Sequence, residues 1–142
     1  MKINETKLAG LFVITNDLMA DSRGSFARFF CDRAFFPVIG DRRIVQINHS
    51  FTRAIGALRG LHFQHPKAQG KLVSVLQGEI YDVIVDIRVG SSTFGKWEGF
   101  KLSSENHTQL WVPKGFAHGF CVTSEMALFA YKCTRYYAPE NE

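Results

Sequence analysis

Apolar residues recur along this chain in short runs. LFVIT (11–15), RIVQINHSF (43–51), KLVSVLQ (71–77), EIYDVIVDIRV (79–89), KWEGFKL (96–102), TQLWVP (108–113), HGFCVT (118–123) and ALFAYKCT (127–134) are rich in Val, Ile, Phe, Tyr and Trp. Such side chains suit a pleated, half-buried surface, so each run predicts a strand. Gly or polar clusters separate the runs, at Gln77-Gly78-Glu79, Gly90-Ser91-Ser92, Ser103-Ser104-Glu105-Asn106, Lys114-Gly115 and Ser124-Glu125. Many short strands joined by tight turns predict an all-β fold: a sandwich, jelly roll or small barrel. One short helix is expected, a turn or two near Cys31–Phe36. It should end before Pro37, because the residue preceding a proline is pushed out of helical geometry.

The strand over 80–88 can be read by faces. Alternation puts Tyr81, Val83, Val85 and Ile87 on an apolar face and Asp82, Ile84, Asp86 and Arg88 on the other. The second face should meet water or a polar cavity. Water is the expectation for Asp86, while Asp82 stands open between the two.

A chain of 142 residues suits one domain, 1–142, with a proper core. Hydrophobic content of 46% and charged content of 21% describe an ordinary soluble globular protein. The net charge of +4 is scattered apart from Arg42-Arg43. That fits a small anionic ligand better than nucleic acid, which calls for a dense basic patch. Cys31, Cys121 and Cys133 form no CxxC pair, which argues against a disulfide framework and a zinc ribbon. A reducing compartment, and so a cytoplasmic protein, is expected. The N-terminus lacks the apolar core of a signal peptide, and no apolar run is long enough to span a membrane.

Candidate chemistry concentrates in RGLHFQHPKAQGK, residues 59–71. Arg59, His62, His65 and Lys71 would repel one another unless something anionic lay among them. On a regular strand Arg59 and His62 point to opposite faces; Gly60 permits a bulge that re-aims them. His62 and Gln64 share a face, whereas His65 should point away into a loop. A second motif, WVPKGFAHGF (111–120), presents His118 at the start of a strand and resembles the second half-motif of the cupin superfamily. That histidine often binds a metal there, together with an HxH…E set. Here Gln64 replaces the second His of that set, and Gln69-Gly70-Lys71 occupies the acidic ligand's place. An ammonium beside a divalent ion is costly in a poorly screened pocket, so no metal or other cofactor is expected.

RGLHFQ, QGKLVSVLQGEIYDVIVDIR, GSSTFGKWEGFKLSSEN, QLWVPKGFAHGF, YKCTRYYAPENE and the early DSRGSFARFF together resemble the dTDP-4-dehydrorhamnose 3,5-epimerase family, from about residue 17 to the end. The resemblance implies a metal-free, cupin-like jelly roll working as a homodimer. It implies inversion of the carbons flanking the C4 ketone of a dTDP-linked 4-keto-6-deoxy sugar. His62 matches the base, an imidazole suited to α-proton abstraction near neutral pH. Lys71 matches the cation that stabilises the enolate, and Tyr131 the acid that reprotonates the opposite face. Arg23 and Arg59 match pyrophosphate contacts, a task that suits guanidinium forks. Gln46 and Asn48 match a pair at the nucleotide, Phe26 a stacking partner for thymine across the dimer, and His118 and Glu142 further substrate contacts. Trp97 and Trp111 read as core or interface.

Two departures stand out. Arg28 occupies a position where the family usually has Glu, which bears on phosphate binding or nucleotide choice. The family pattern also continues past Glu142 into a GIxWND segment whose carboxylate pairs with the base histidine; Asp82 is the expected substitute. These departures keep open a non-catalytic nucleotide-sugar-binding relative. A metal-dependent cupin using His62, His65 and His118 is the third reading.

Overall fold

The computed structural model describes residues 1–142. Four short strands, β1 (Lys2–Glu5), β2 (Phe12–Thr15), β3 (Leu18–Asp21) and β4 (Gly24–Ala27), precede helix α1 (Asp32–Ile39). Then come β5 (Gln46–Thr52), β6 (Leu58–His62), β7 (Lys71–Asp86), β8 (Trp97–Ser103), β9 (Thr108–Val112) and β10 (Phe116–Cys133), with a 3-10 turn at Pro139–Asn141. The main sheet is antiparallel in the order β1-β2-β9-β7-β10-β5, with β6 added on β10 and β8 on β7. No helix is long and apolar enough to cross a membrane.

The expected β-sandwich arises because the two longest strands fold over. The runs 71–77 and 79–89 are one strand, β7, that bends at Gly78 (φ +79°). A Cβ at Gly78 would lie 1.9 Å from the carbonyl oxygen of Met126, so only glycine fits that close approach. The runs 118–123 and 127–134 are likewise one strand, β10, with its register shifting between Val122 and Ala127. One half of each strand pairs with β9 or β5, the other half with β8 or β6. Val73, Val75, Leu110, Val112 and Phe129 from one layer meet Ile80, Ile84, Leu102, Phe116 and Phe120 from the other. Burying a side chain of this kind contributes roughly 1.5–3 kcal/mol.

The outer face of the first layer carries Leu72 and Trp111, on which α1 lays Phe35 and Ile39 beside Ile14. That burial explains why the helix runs through Pro37 to Ile39, where termination before the proline was expected. The proline removes one hydrogen bond, to the carbonyl of Arg33, but Arg33 is exposed and water can serve it. Gly40 then closes the helix, donating its N–H to the Phe36 carbonyl at 2.8 Å.

The reading of 80–88 is corrected. Tyr81 is exposed, whereas Asp82, Ile84 and Asp86 are fully buried, so the polar face points between the layers. Asp86 is buried without being isolated. Arg88 donates to it through Nε at 2.9 Å and Nη2 at 2.7 Å, and the Ser91 hydroxyl adds a bond at 2.7 Å. Those donors, Arg88 first, hold its carboxyl well below the usual carboxylate range. β1 and the β3–β4 hairpin were not anticipated. The hairpin pairs with nothing else, and it projects as an arm with Leu18, Met19 and Phe26 exposed.

Candidate active site

The inner faces of β5, β6, β7 and β10 form a cleft of about 220 Å³. Strand register decides which side chains meet there. Tyr131 on β10 lies between Asn48 of β5 and Val73 of β7, and Cys133 pairs with Lys71. β6 pairs with β10 through His62 opposite His118 and Arg59 opposite Phe120, with an irregularity between them. Arg59 and His62 are three positions apart, yet both line the cleft. The irregularity centres on Gly60 (φ +100°), where a Cβ would sit 2.7 Å from the His118 carbonyl oxygen. The re-aiming expected of Gly60 is thus the geometry observed.

The C-terminal residues close one side. Gln64 is buried; its Oε1 accepts from the Ala138 N–H at 3.0 Å and its Nε2 donates to the Lys67 carbonyl at 2.9 Å. This brings Tyr137 and Glu142 to the cleft. Glu142 Oε1 lies 2.8 Å from His62 Nδ1, and the Tyr137 hydroxyl donates to Glu142 Oε2 at 2.7 Å. With Nδ1 engaged by a carboxylate, Nε2 is the imidazole nitrogen left for proton transfer.

Beneath the cleft sits an ionisable pair in a dry setting. Asp82 is fully buried, and His118 Nε2 lies 2.8 Å from its Oδ1 and 3.0 Å from its Oδ2. Burial pushes the Asp82 carboxyl above its ordinary value, and His118 and Lys71 pull it back. Burial also draws the Lys71 ammonium below its ordinary value, opposed by Cys133, Glu142 and Asp82. The Tyr131 phenol is pushed up, chiefly by burial and then by Cys133 and Glu142, against contacts with Asn48 and Arg59. A phenol so raised keeps its proton at neutral pH. The cleft therefore sets a half-exposed imidazole, a desolvated ammonium and a protonated phenol around one space, which suits moving a proton at a carbon beside a carbonyl.

A sequence profile of dTDP-4-dehydrorhamnose 3,5-epimerase matches residues 5–142. The chain belongs to this family. It is 51% identical to the dTDP-4-dehydrorhamnose 3,5-epimerase of Neisseria gonorrhoeae, covering all of this chain and 43% of that one, so it spans less than half of that relative. Among solved structures, the dTDP-6-deoxy-D-glucose-3,5-epimerase of Legionella pneumophila, in complex with dTDP-4-keto-L-rhamnose, is 52% identical with a TM-score of 0.94, over 99% of this chain and 74% of that one. The dTDP-4-dehydrorhamnose 3,5-epimerase of Bacillus anthracis, with TDP and PPi bound, is 43% identical with a TM-score of 0.94, over 99% of this chain and 81% of that one. The fold is the cupin-like β-sandwich of these epimerases.

Not every residue that the family resemblance nominated lies at this cleft. His62, Lys71, Tyr131, Asn48, Arg59, His118 and Glu142 line it. Gln46 stands just outside, its Oε1 accepting from the Tyr137 N–H at 2.9 Å and its Nε2 donating to Asn48 Oδ1 at 3.0 Å. Arg23, Phe26 and Arg28 do not reach it. The first two sit on the exposed arm, where Arg23 pairs with Asp21 at 2.7 Å, and Arg28 is exposed just beyond β4. His65 is exposed and outside, as expected, and no three His, Cys, Asp or Glu side chains converge as a ligand set. Asp82 does not substitute as the partner of His62: it is committed to His118, and Glu142 takes the place beside His62. Tyr137 and Gln69 are cleft residues that the sequence reading missed. Tyr137 offered a signal, since the YY pair lies five residues before Glu142 in the same YYAPENE motif.

Proposed function

We propose that this chain epimerises a dTDP-linked 4-keto-6-deoxyhexose at C3, C5 or both. The observation that carries the reading is the convergence of His62, Lys71 and Tyr131 on one cleft beside Arg59 and Asn48. His62 Nε2 removes the proton α to the C4 ketone, and Glu142 at Nδ1 steadies the imidazolium that results. Lys71 places positive charge where the C4 oxygen becomes an enolate, and desolvation makes that charge count for more than it would in water. Tyr131 returns a proton to the opposite face. Arg59 spends only its Nε, donated to Thr52 Oγ1 at 3.0 Å, which leaves its Nη groups for pyrophosphate oxygens.

The protein works as a homodimer in this reading. An isolated two-stranded hairpin is marginal in water. The β3–β4 arm carries exposed Met19 and Phe26, and the outer sheet face exposes Ile47, Phe51 and Leu76. A second copy covers both, and the arm delivers Arg23 and Phe26 to the partner's cleft, on the nucleotide. Three free thiols suit a cytoplasmic enzyme.

The test is to follow the C3 and C5 protons of dTDP-4-keto-6-deoxyglucose by NMR in deuterated water. Exchange at both positions marks a double epimerase, and at C3 alone a mono-epimerase. Ligand binding with no exchange sinks the catalytic reading and leaves a nucleotide-sugar-binding protein.

A further inference from the structure

The strangest buried group in the molecule is one the cleft does not use. Lys132 follows Tyr131 on β10, so its side chain takes the opposite, outer face of the sheet. Its neighbours across the strands are Ile47 and Leu72. The residue is 6% exposed, and its Nζ has no hydrogen-bond partner. What it has is the face of Phe29, whose ring centroid lies 3.9 Å from Nζ. One row along the same face, the buried Ser74 hydroxyl donates to Gln109 Oε1 at 2.9 Å, and Gln109 Nε2 donates to the carbonyl oxygen of Phe29, also at 2.9 Å. Both handles of Phe29, ring and carbonyl, are therefore held by polar side chains set into an otherwise apolar surface. Phe29 lies two residues beyond β4, at the root of the arm.

We propose that Lys132, with Gln109 and Ser74, is the anchor that fixes the direction in which the β3–β4 arm leaves the domain. Lys132 is then a positioning residue for nucleotide-sugar binding, acting through Phe29 on Arg23 and Phe26. This rests on the reading above, in which the arm serves a partner's cleft. An apolar side chain would fill the site as well as the lysine stem does. Only the ammonium supplies a directional attraction to the ring, and a desolvated cation–π contact of this kind is strong enough to choose among arm orientations. The arm makes no strand pairing with the sheet, so its root is the place where its direction can be set.

The experiment compares Lys132→Met, Lys132→Arg and Phe29→Leu in the full chain. Lys132→Met and Phe29→Leu should each raise KM for the dTDP-linked 4-keto sugar about tenfold, with kcat within about twofold. The double variant should be no worse than either single one, and Lys132→Arg, which keeps the cation, should stay near the parent. Amide hydrogen exchange across residues 18–31 should quicken in both damaging variants and leave β7 unchanged. An unaltered KM, or a fall in kcat in place of the rise in KM, overturns the proposal. If the parent itself shows no turnover, the epimerase reading fails separately, and the exchange data still decide: unchanged protection over 18–31 in Lys132→Met removes the anchor.

Discussion

Lys132→Met should make the protein more stable at pH 7, an unusual direction for a buried substitution. Burial draws the Lys132 ammonium down to about 8 from its ordinary 10.5. A separation of roughly 2.5 pH units corresponds to about 3 kcal/mol of penalty on the charged form. The contact with Phe29 offsets about 1–2 kcal/mol of what a bare ammonium would suffer there, and methionine forfeits that contact while filling much the same volume. The net expectation is a gain of about 1–3 kcal/mol for the Met variant at neutral pH. The sign follows from proton counting. Between about 8 and 10.5 the folded state has released the Lys132 proton while the unfolded state still binds it. The parent's stability therefore rises with pH through that window. The Met advantage is complete below pH 8 and fades toward nothing near 10.5.

Urea denaturation of parent and variant at one protein concentration, at pH 7 and again at pH 9.5 to 10, reads the difference directly. Other groups titrate in the same range, but they do so in both proteins and cancel. A Met variant less stable than the parent at pH 7, or a difference that does not shrink with rising pH, refutes the reasoning. Taken with the anchor role, the expected gain means that the lysine costs stability and is worth keeping only for what it positions.

His62→Ala should abolish both solvent exchange and inversion, a loss of at least about 10²-fold in kcat, with nucleotide-sugar binding retained by calorimetry. Tyr131→Phe should separate the two: deuterium still enters at the α-carbon through His62, while inversion slows by about 10²-fold or more, as paired NMR time courses would reveal. At substrate well below KM, mixing Arg23→Ala, weakened in binding, with inactive His62→Ala protein should restore part of the parent activity, because a mixed dimer keeps one intact cleft served by one intact arm; no recovery after subunit exchange would confine the arm to its own chain. Asp86→Ala should destabilise the fold by about 1–3 kcal/mol in thermal unfolding, since it removes the acceptor of the Arg88, Ser91 and Thr93 hydrogen bonds. Because Asp86 titrates below its ordinary 3.8 in the folded state, the stability it adds is present above that pH and lost as pH falls below it, so Asp86→Asn should flatten the acid limb of the stability curve.

The strands that bury β-branched and aromatic side chains were legible from their runs, because alternation and burial act on the same residues. β1 and the arm were not. KINE, LMAD and GSFA are short and largely exposed, and of their side chains Ile3 packs against a buried cluster, so almost no buried face leaves a pattern in them. The inversion of the 80–88 strand has a specific cause. Water was expected for Asp86, yet Arg88 and Ser91 supply it with donors and His118 stands against Asp82, so both acids lie buried where an isolated carboxylate could not. A rule written for one residue at a time misses partners that arrive from 36 positions away, as His118 does for Asp82.

The cleft itself was half legible for the same reason. Short-range geometry foretold that Gly60 would turn Arg59 and His62 to one side, because both the bulge and its consequence lie within four residues. Which carboxylate would stand beside His62 was a long-range question. Asp82 was reasonable by strand proximity, but the register of β7 on β10 sets it opposite Phe120, diagonal to His118 on the same face, with Lys71 as its next cation. The chain then carries Glu142 back across the sheet to His62 by way of Gln64 and Ala138. Two histidines, each given its own carboxylate, divide the work of the cleft. His118 is held against the buried Asp82, and in the proposed reaction it is His62, half-exposed at the edge beside Glu142, that exchanges protons with substrate.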